Sequence, residues 1–152
     1  MEANYWCGVV FWEKIVDANT GWTYAHEAVS TGYIPADFTQ WQWRLADKNG
    51  WTVAHEAART GVLNTYDWTK LTPENWTMED LEGQTVLDVY LKTFPLEPDS
   101  GVWARQIGNE GTTLAHVAAK LESLPYGFRF WNLKDKNGTT VAHVAKTYKI
   151  CQ

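Results

Sequence analysis

Four histidines carry most of the chemical potential of this 152-residue chain, because imidazole can bind a metal, move a proton or activate a nucleophile. His26, His55, His116 and His143 all hold one place in a recurring phrase, three residues after the Thr of Gly-x-Thr. The aligned pairs are Gly21/Thr23, Gly50/Thr52, Gly83/Thr85, Gly111/Thr113 and Gly138/Thr140, and the third copy has Asp88 in the histidine slot. Residues that recur with the period of the fold belong first to the scaffold. Zinc needs its ligands within ~2.1 Å of one point, whereas equivalent residues on neighbouring helices stand about 10 Å apart. Thr23/His26, Thr52/His55, Thr113/His116 and Thr140/His143 are therefore read as structural pairs, each Thr hydroxyl bonded to its imidazole and each ring bridging to the neighbouring loop. No catalytic, cofactor-binding or metal-ligating residue is assigned, and no cofactor is expected. An enzyme needs a nucleophile or an acid/base pair set apart from its scaffold, and the sequence carries no phosphate loop, nucleophile elbow or metal motif. Glu27 and Glu56, which follow the His, are expected to face solvent.

The phrase predicts the elements that position these residues. Asp47-Lys48-Asn49-Gly50 and Asp135-Lys136-Asn137-Gly138 read as turns, with Asp folding back on its own backbone and Gly accepting positive φ. Thr52 then caps a helix beginning at Val53, and Gly61 ends it, with Gly32 its counterpart in the first copy. Alanines at i, i+3 (Ala54/Ala57, Ala115/Ala118) give the helices a face that neighbours can approach closely. Upstream lies Trp-x-Leu-x-Asp, as Trp43–Asp47, Trp76–Asp80 (with Met78) and Trp131–Asp135, whose alternation predicts a short extended arm with core-packed tryptophans. Pro35–Trp41 predicts a second, shorter helix, with Leu63–Leu71 and Leu121–Phe128 as equivalents. Successive Gly-x-Thr glycines are 29, 33, 28 and 27 residues apart. The expected fold is mainly α: a helical repeat solenoid of about five short repeats, starting near residues 17, 47, 80, 108 and 135, with turn tips and end caps. It would form one domain over residues 1–152, with residues 1–16 as its N-terminal cap.

Asp47, Gly50, Thr52, His55, Ala57, Ala58 and Gly61 match in register the ankyrin signature Asp-x-x-Gly-x-Thr-x-x-His-x-Ala-Ala-x-x-Gly. Asp135, Gly138, Thr140, His143 and Ala145 match all but its end, and the third copy resembles the ankyrin variant with Asp in place of His. The chain from about Asp17 onward thus resembles ankyrin repeats. It departs from them in having units mostly shorter than ~33 residues, in lacking the Pro-Leu before the His, and in the Trp-x-Leu-x-Asp phrase. The resemblance implies an ankyrin-like fold whose turn tips and first helices contact a protein partner. Aligned on the phrase, the tips include Ala18/Asn19/Trp22, Lys48/Asn49/Trp51, Leu81/Glu82/Gln84 and Asn109/Glu110.

Composition narrows the class. Hydrophobic residues make up 45% and charged residues 20%, as in a folded domain. A net charge of −5 argues against direct nucleic-acid binding. The charge is uneven, with seven acids against Lys92 alone over Glu74–Asp99, and six basic residues against Glu122 and Asp135 over Lys120–Lys149. Cys7 and Cys151 form no metal or disulfide framework. Glu2 and the short apolar run Gly8–Trp12 do not make a signal peptide or membrane span, so a cytoplasmic location without membrane contact is expected. The apolar Tyr5–Trp12 could cap the fold or pair two copies as a dimer.

These readings lead to a non-enzymatic protein-binding module, an inhibitor or adaptor that occupies a partner protein's surface. Its contact residues would be those that vary between copies: Trp22, Trp51, Lys48, Asn49, Glu82, Gln84 and Glu110. The alternative is an acidic counter-defence inhibitor, anti-CRISPR-like or a nucleic-acid mimic, whose Glu74–Asp99 cluster imitates phosphate charge and blocks a nucleic-acid-handling enzyme.

Overall fold

A computed structural model describes residues 12–148. Cys7, Cys151 and nearly all of the apolar stretch read as an end cap or dimer surface lie outside the described residues. Seven short α-helices appear among the described residues: α1 (Tyr24–Ser30), α2 (Gln40–Trp43), α3 (Val53–Thr60), α4 (Pro73–Thr77), α5 (Val86–Thr93), α6 (Leu114–Lys120) and α7 (Val141–Tyr148). Strand β1 (Ile15–Asp17) pairs antiparallel with β2 (Trp22–Thr23), Ile15 opposite Thr23. Single bridges replace that pair in later copies: Ala46 with Thr52, Glu79 with Thr85, Gln106 with Thr113 and Lys134 with Thr140.

Every one of these helices starts directly after a threonine: Thr23, Thr39, Thr52, Thr72, Thr85, Thr113 or Thr140. Three residues into each helix stands a polar partner: His26, Gln42, His55, Asn75, Asp88, His116 or His143. In α1, α2, α3 and α6 the Thr hydroxyl accepts a backbone N–H of the first turn and the partner side chain accepts the Thr N–H, in a reciprocal capping box, while in α7 the Thr140 hydroxyl accepts the His143 N–H at 3.0 Å. In α4, Thr72 N–H donates to Asn75 Oδ1 at 2.9 Å, and in α5 Thr85 N–H donates to Asp88 Oδ2 at 3.0 Å. Helices of four to eight residues are too short to hold alone in water, so each cap, at ~1 kcal/mol, is a large share of local stability.

The chain forms two compact units. The first comprises residues 12–66 with Met78–Thr93, and the second Asp67–Thr77 with residues 94–148. In the first unit α1 packs on α3 and α3 on α5, around Ala25, Val29, Ala54, Ala57, Leu63 and Leu87. Trp43 is fully buried and meets Phe38 and Tyr66 edge-on at 5.3 Å. In the second unit α6 packs on α7, and Trp68, Trp76 and Trp103 are 1% exposed. Trp68 meets Trp76 at 4.8 Å, and the Arg105 guanidinium lies 3.9 Å over the Trp68 ring.

The regular five-repeat solenoid is overturned. The predicted second helices do not form as a recurring element: 35–39 is non-helical and α2 begins only at Gln40, Val62–Thr65 and Trp68–Lys70 are 3-10 turns, and 121–128 holds no helix. Trp43 and Trp76 lie in α2 and α4 rather than in an extended arm, because capping boxes at Thr39 and Thr72 win over the Trp-x-Leu alternation. The turns also join into two ladders, not one. Lys48 N–H donates to Thr20 O at 2.8 Å and Leu81 N–H to Asn49 O at 2.9 Å in the first unit. Lys136 N–H donates to Glu110 O at 2.9 Å in the second. In the fourth copy Gly108 stands where the other turns have Asp, and its N–H bonds Trp68 O at 3.0 Å within its own unit.

The ladder brings backbones close enough to require glycine. A Cβ at Gly50, where φ is +77°, would sit 2.8 Å from Leu81 N, whereas one at Gly83, at φ +81°, meets nothing within 4 Å. Gly83→Ala should cost ~1 kcal/mol from the left-handed backbone alone. Gly50→Ala should cost more than twice as much, because the turns must also part. Urea titration of the two variants measures the difference, and equal losses would remove the ladder from the account.

Candidate functional site

The three buried imidazoles act as two-sided links. In the first unit Thr23 N–H donates to His26 Nδ1 at 3.2 Å and Thr52 N–H to His55 Nδ1 at 3.1 Å. An accepting Nδ1 leaves the proton on Nε2. His26 Nε2–H then donates to Trp51 O at 2.9 Å, and His55 Nε2–H to Gln84 O at 2.8 Å. In the second unit His116 repeats the arrangement, reaching Thr139 O at 3.0 Å. His26 and His55 are fully buried and His116 is 4% exposed, while His143 lies at the surface. Thr85–Asp88 keeps the cap, but a carboxylate has no proton for a carbonyl. Among the described residues no group of three or more His, Cys, Asp or Glu is placed to hold a metal ion.

Trp22 and Trp51 cover these links. Trp22 stacks on His26 at 4.6 Å and Trp51 lies against His55 at 4.9 Å. Their indole N–H groups donate to Glu27 Oε1 and Glu56 Oε1, both at 3.0 Å. Both indoles are half-buried, one face on an imidazole and the other toward the tip surface. Glu27 is exposed as expected, but Glu56 is not: it is 2% exposed, held by Trp51 and by the Arg59 guanidinium. The pairing is visible in the sequence. Trp fills the Gly-x-Thr slot only where Glu follows the His, and the other copies have Gln84, Thr112 or Thr139 with Val89, Val117 or Val144.

Several predicted contact residues come together in the first unit. Asn49, Trp51, Glu82 and Gln84 line one open groove of about 370 Å³ with Asp47, Asp80 and Leu81. Lys48 is exposed on the same turn as Asn49. Glu110 is exposed on a turn of the second unit. The groove is acidic. Asp47 Oδ1 accepts the N–H groups of Asn49 and Trp51, and Asp80 Oδ1 those of Glu82 and Gln84. Burial alone would raise the Asp80 carboxyl, but the Gln84 and Glu82 N–H donors hold it below its ordinary 3.8. Leu81, 77% exposed, is the groove's free apolar side chain. The roles of Asp47 and Asp80 as lining residues are not legible in the sequence, where Asp47 reads as a turn former and Asp80 as the end of Trp76–Asp80 and one of the acids of Glu74–Asp99.

Beyond the tips, the second unit holds a cavity of about 480 Å³ bordered by Glu122, Tyr126, Phe128 and Trp131. Glu122 has φ +58°, the left-handed region, where the first two copies use Gly32 and Gly61. Comparison of the chain with protein-family models and with curated proteins finds no match. No helix among the described residues is long and apolar enough to cross a membrane.

Burial holds the His26 and His55 rings below their ordinary pKa of 6.5, with weaker upward pulls from the Trp51 and Gln84 carbonyls. Below pH 6.5 the unfolded chain therefore binds more protons than the folded one, and stability falls with pH. One unit below 6.5, each ring should cost up to about 1.4 kcal/mol. Glutamine can accept the Thr N–H, as Gln42 does from Thr39 at 2.6 Å, but does not titrate. The His26→Gln/His55→Gln variant should lose most of the slope between pH 7.5 and 5.5 in urea midpoints. An unchanged slope would show that these rings do not set it.

Proposed function

We propose that the chain is a non-enzymatic protein-binding module whose first unit takes a basic, partly apolar segment of a partner protein into its turn-tip groove. The observation that carries this is the groove itself: side chains that differ between copies converge on a pair of turns held together by main-chain hydrogen bonds. Because Lys48 and Leu81 enter the ladder through backbone N–H groups, their side chains are free to serve recognition. Asp47, Asp80 and Glu82 supply negative charge, and Leu81 and the outer face of Trp51 supply apolar surface. Aromatic anchors rimmed by charge are the usual composition of an interface centre. The resemblance of the phrase to ankyrin repeats supports a partner at the tips. A non-enzymatic role is supported by the engagement of both nitrogens of His26 and His55, and by the Oδ1 atoms of Asp47 and Asp80 accepting backbone N–H groups.

Trp22 and Trp51 are poor probes of this reading, since each also covers a buried histidine. Leu81→Asp with Glu82→Lys changes only exposed side chains and should leave stability within ~0.5 kcal/mol. The variant should lose at least about tenfold in affinity for any partner captured by the native chain. Retention of the same partners at the same affinity would exclude the groove.

A further inference from the structure

Two positions that serve the scaffold in other copies are altered in the second unit, and both alterations border one cavity. Six residues after the capping His, the first two copies place Gly32 and Gly61, at φ +93° and +84°. The fourth places Glu122 there, at φ +58°. The tryptophan of Trp-x-Leu-x-Asp is 0% exposed at Trp43 and 1% at Trp76, yet 39% exposed at Trp131. Glu122 and Trp131 both line the cavity of about 480 Å³, with Tyr126 and Phe128. Phe128, itself 5% exposed, stands at 88° to Trp131 with centroids 5.0 Å apart, and at this corner the exposed aromatic surface is that of Trp131 and of the fully exposed Tyr126.

We propose that this corner binds a quaternary or fully methylated ammonium group. Aromatic faces attract a cation through their quadrupole, and most strongly when the cation is weakly hydrated. A methylated ammonium also gains from apolar lining such as Leu124 and Pro125, whereas a bare ammonium would lose its water there. Glu122 supplies the balancing charge, which explains a carboxylate at a backbone position better suited to glycine. The proposal does not rest on the groove of the first unit.

The test is a titration of the full chain, read by the Trp indole ¹H–¹⁵N signals at 0.15 M salt. The probes are tetramethylammonium, a short peptide carrying trimethyllysine, and the neutral isostere 3,3-dimethylbutanol. Both cations should saturate, and the neutral probe should bind at least about tenfold more weakly. The peptide binding more tightly than tetramethylammonium would assign a modified lysine as the ligand, and equal affinity a free quaternary amine. Tyr126→Ala, at a fully exposed side chain, and Trp131→Leu should each weaken cation binding. Glu122→Gly should weaken it while raising the melting temperature, which separates ligand binding from folding. Equal affinity for the neutral probe, unsaturable shifts with both cations, or cation affinity unchanged in Trp131→Leu would overturn the proposal.

Discussion

A neutral imidazole placed between a threonine cap and the next turn's carbonyl is the contact on which the first unit depends. Its helices span four to eight residues, too few to be stable by backbone hydrogen bonding alone. A cap satisfies the first turn but does not fix a helix against its neighbour. His26 and His55 do both, with Nδ1 turned inward to the cap and Nε2–H turned outward to Trp51 O or Gln84 O. The geometry permits one tautomer and no second proton. Burial lowers the pKa of both rings, and thereby keeps the charge state that the links require.

The same chemistry explains why the repetition does not continue as one regular array. Asp88 and His are equivalent as capping acceptors but not as bridges, because only the imidazole can donate onward. The copy that follows has Gly108 where the others have a turn-forming Asp, and its N–H is taken by Trp68 O. Donor loss and turn change fall together, and the first ladder ends at Gly83, where an added Cβ meets nothing within 4 Å. A signature that treats Asp and His as interchangeable hides this difference.

What was legible in the sequence was whatever depends on near neighbours in the chain. The Thr caps, the Asp turns and the glycines at positive φ are local, and each can be read from four or five residues. The second helices were not legible, since segments such as 62–65 and 101–104 settle as 3-10 turns under packing that no local pattern encodes. Trp43 sits in α2 because the Thr39–Gln42 box, itself a local signal, prevails over the Trp-x-Leu alternation. Glu56 is buried through two partners, Arg59 at i+3 and Trp51 five residues back, and the second lies outside the i, i+3 and i, i+4 pairs of a helix face. The co-occurrence of Trp and Glu in the first two copies was the available signal.

The tips are strict in backbone and permissive in side chain, and the ladder is the reason. One N–H position in the turn makes the joining bond in each pair, and it comes from Lys48, Leu81 and Lys136 in turn. A cation and an exposed leucine serve the scaffold equally well there, because neither side chain takes part. Recognition surfaces need this separation: a residue that also holds the fold cannot change to suit a ligand without a loss of stability. Trp22 and Trp51, bound to imidazole and carboxylate, fall on the scaffold side of that division although they reach the surface. Leu81, Glu82, Lys48 and Asn49 fall on the other side, and it is there that a change of side chain can alter binding and leave the fold intact.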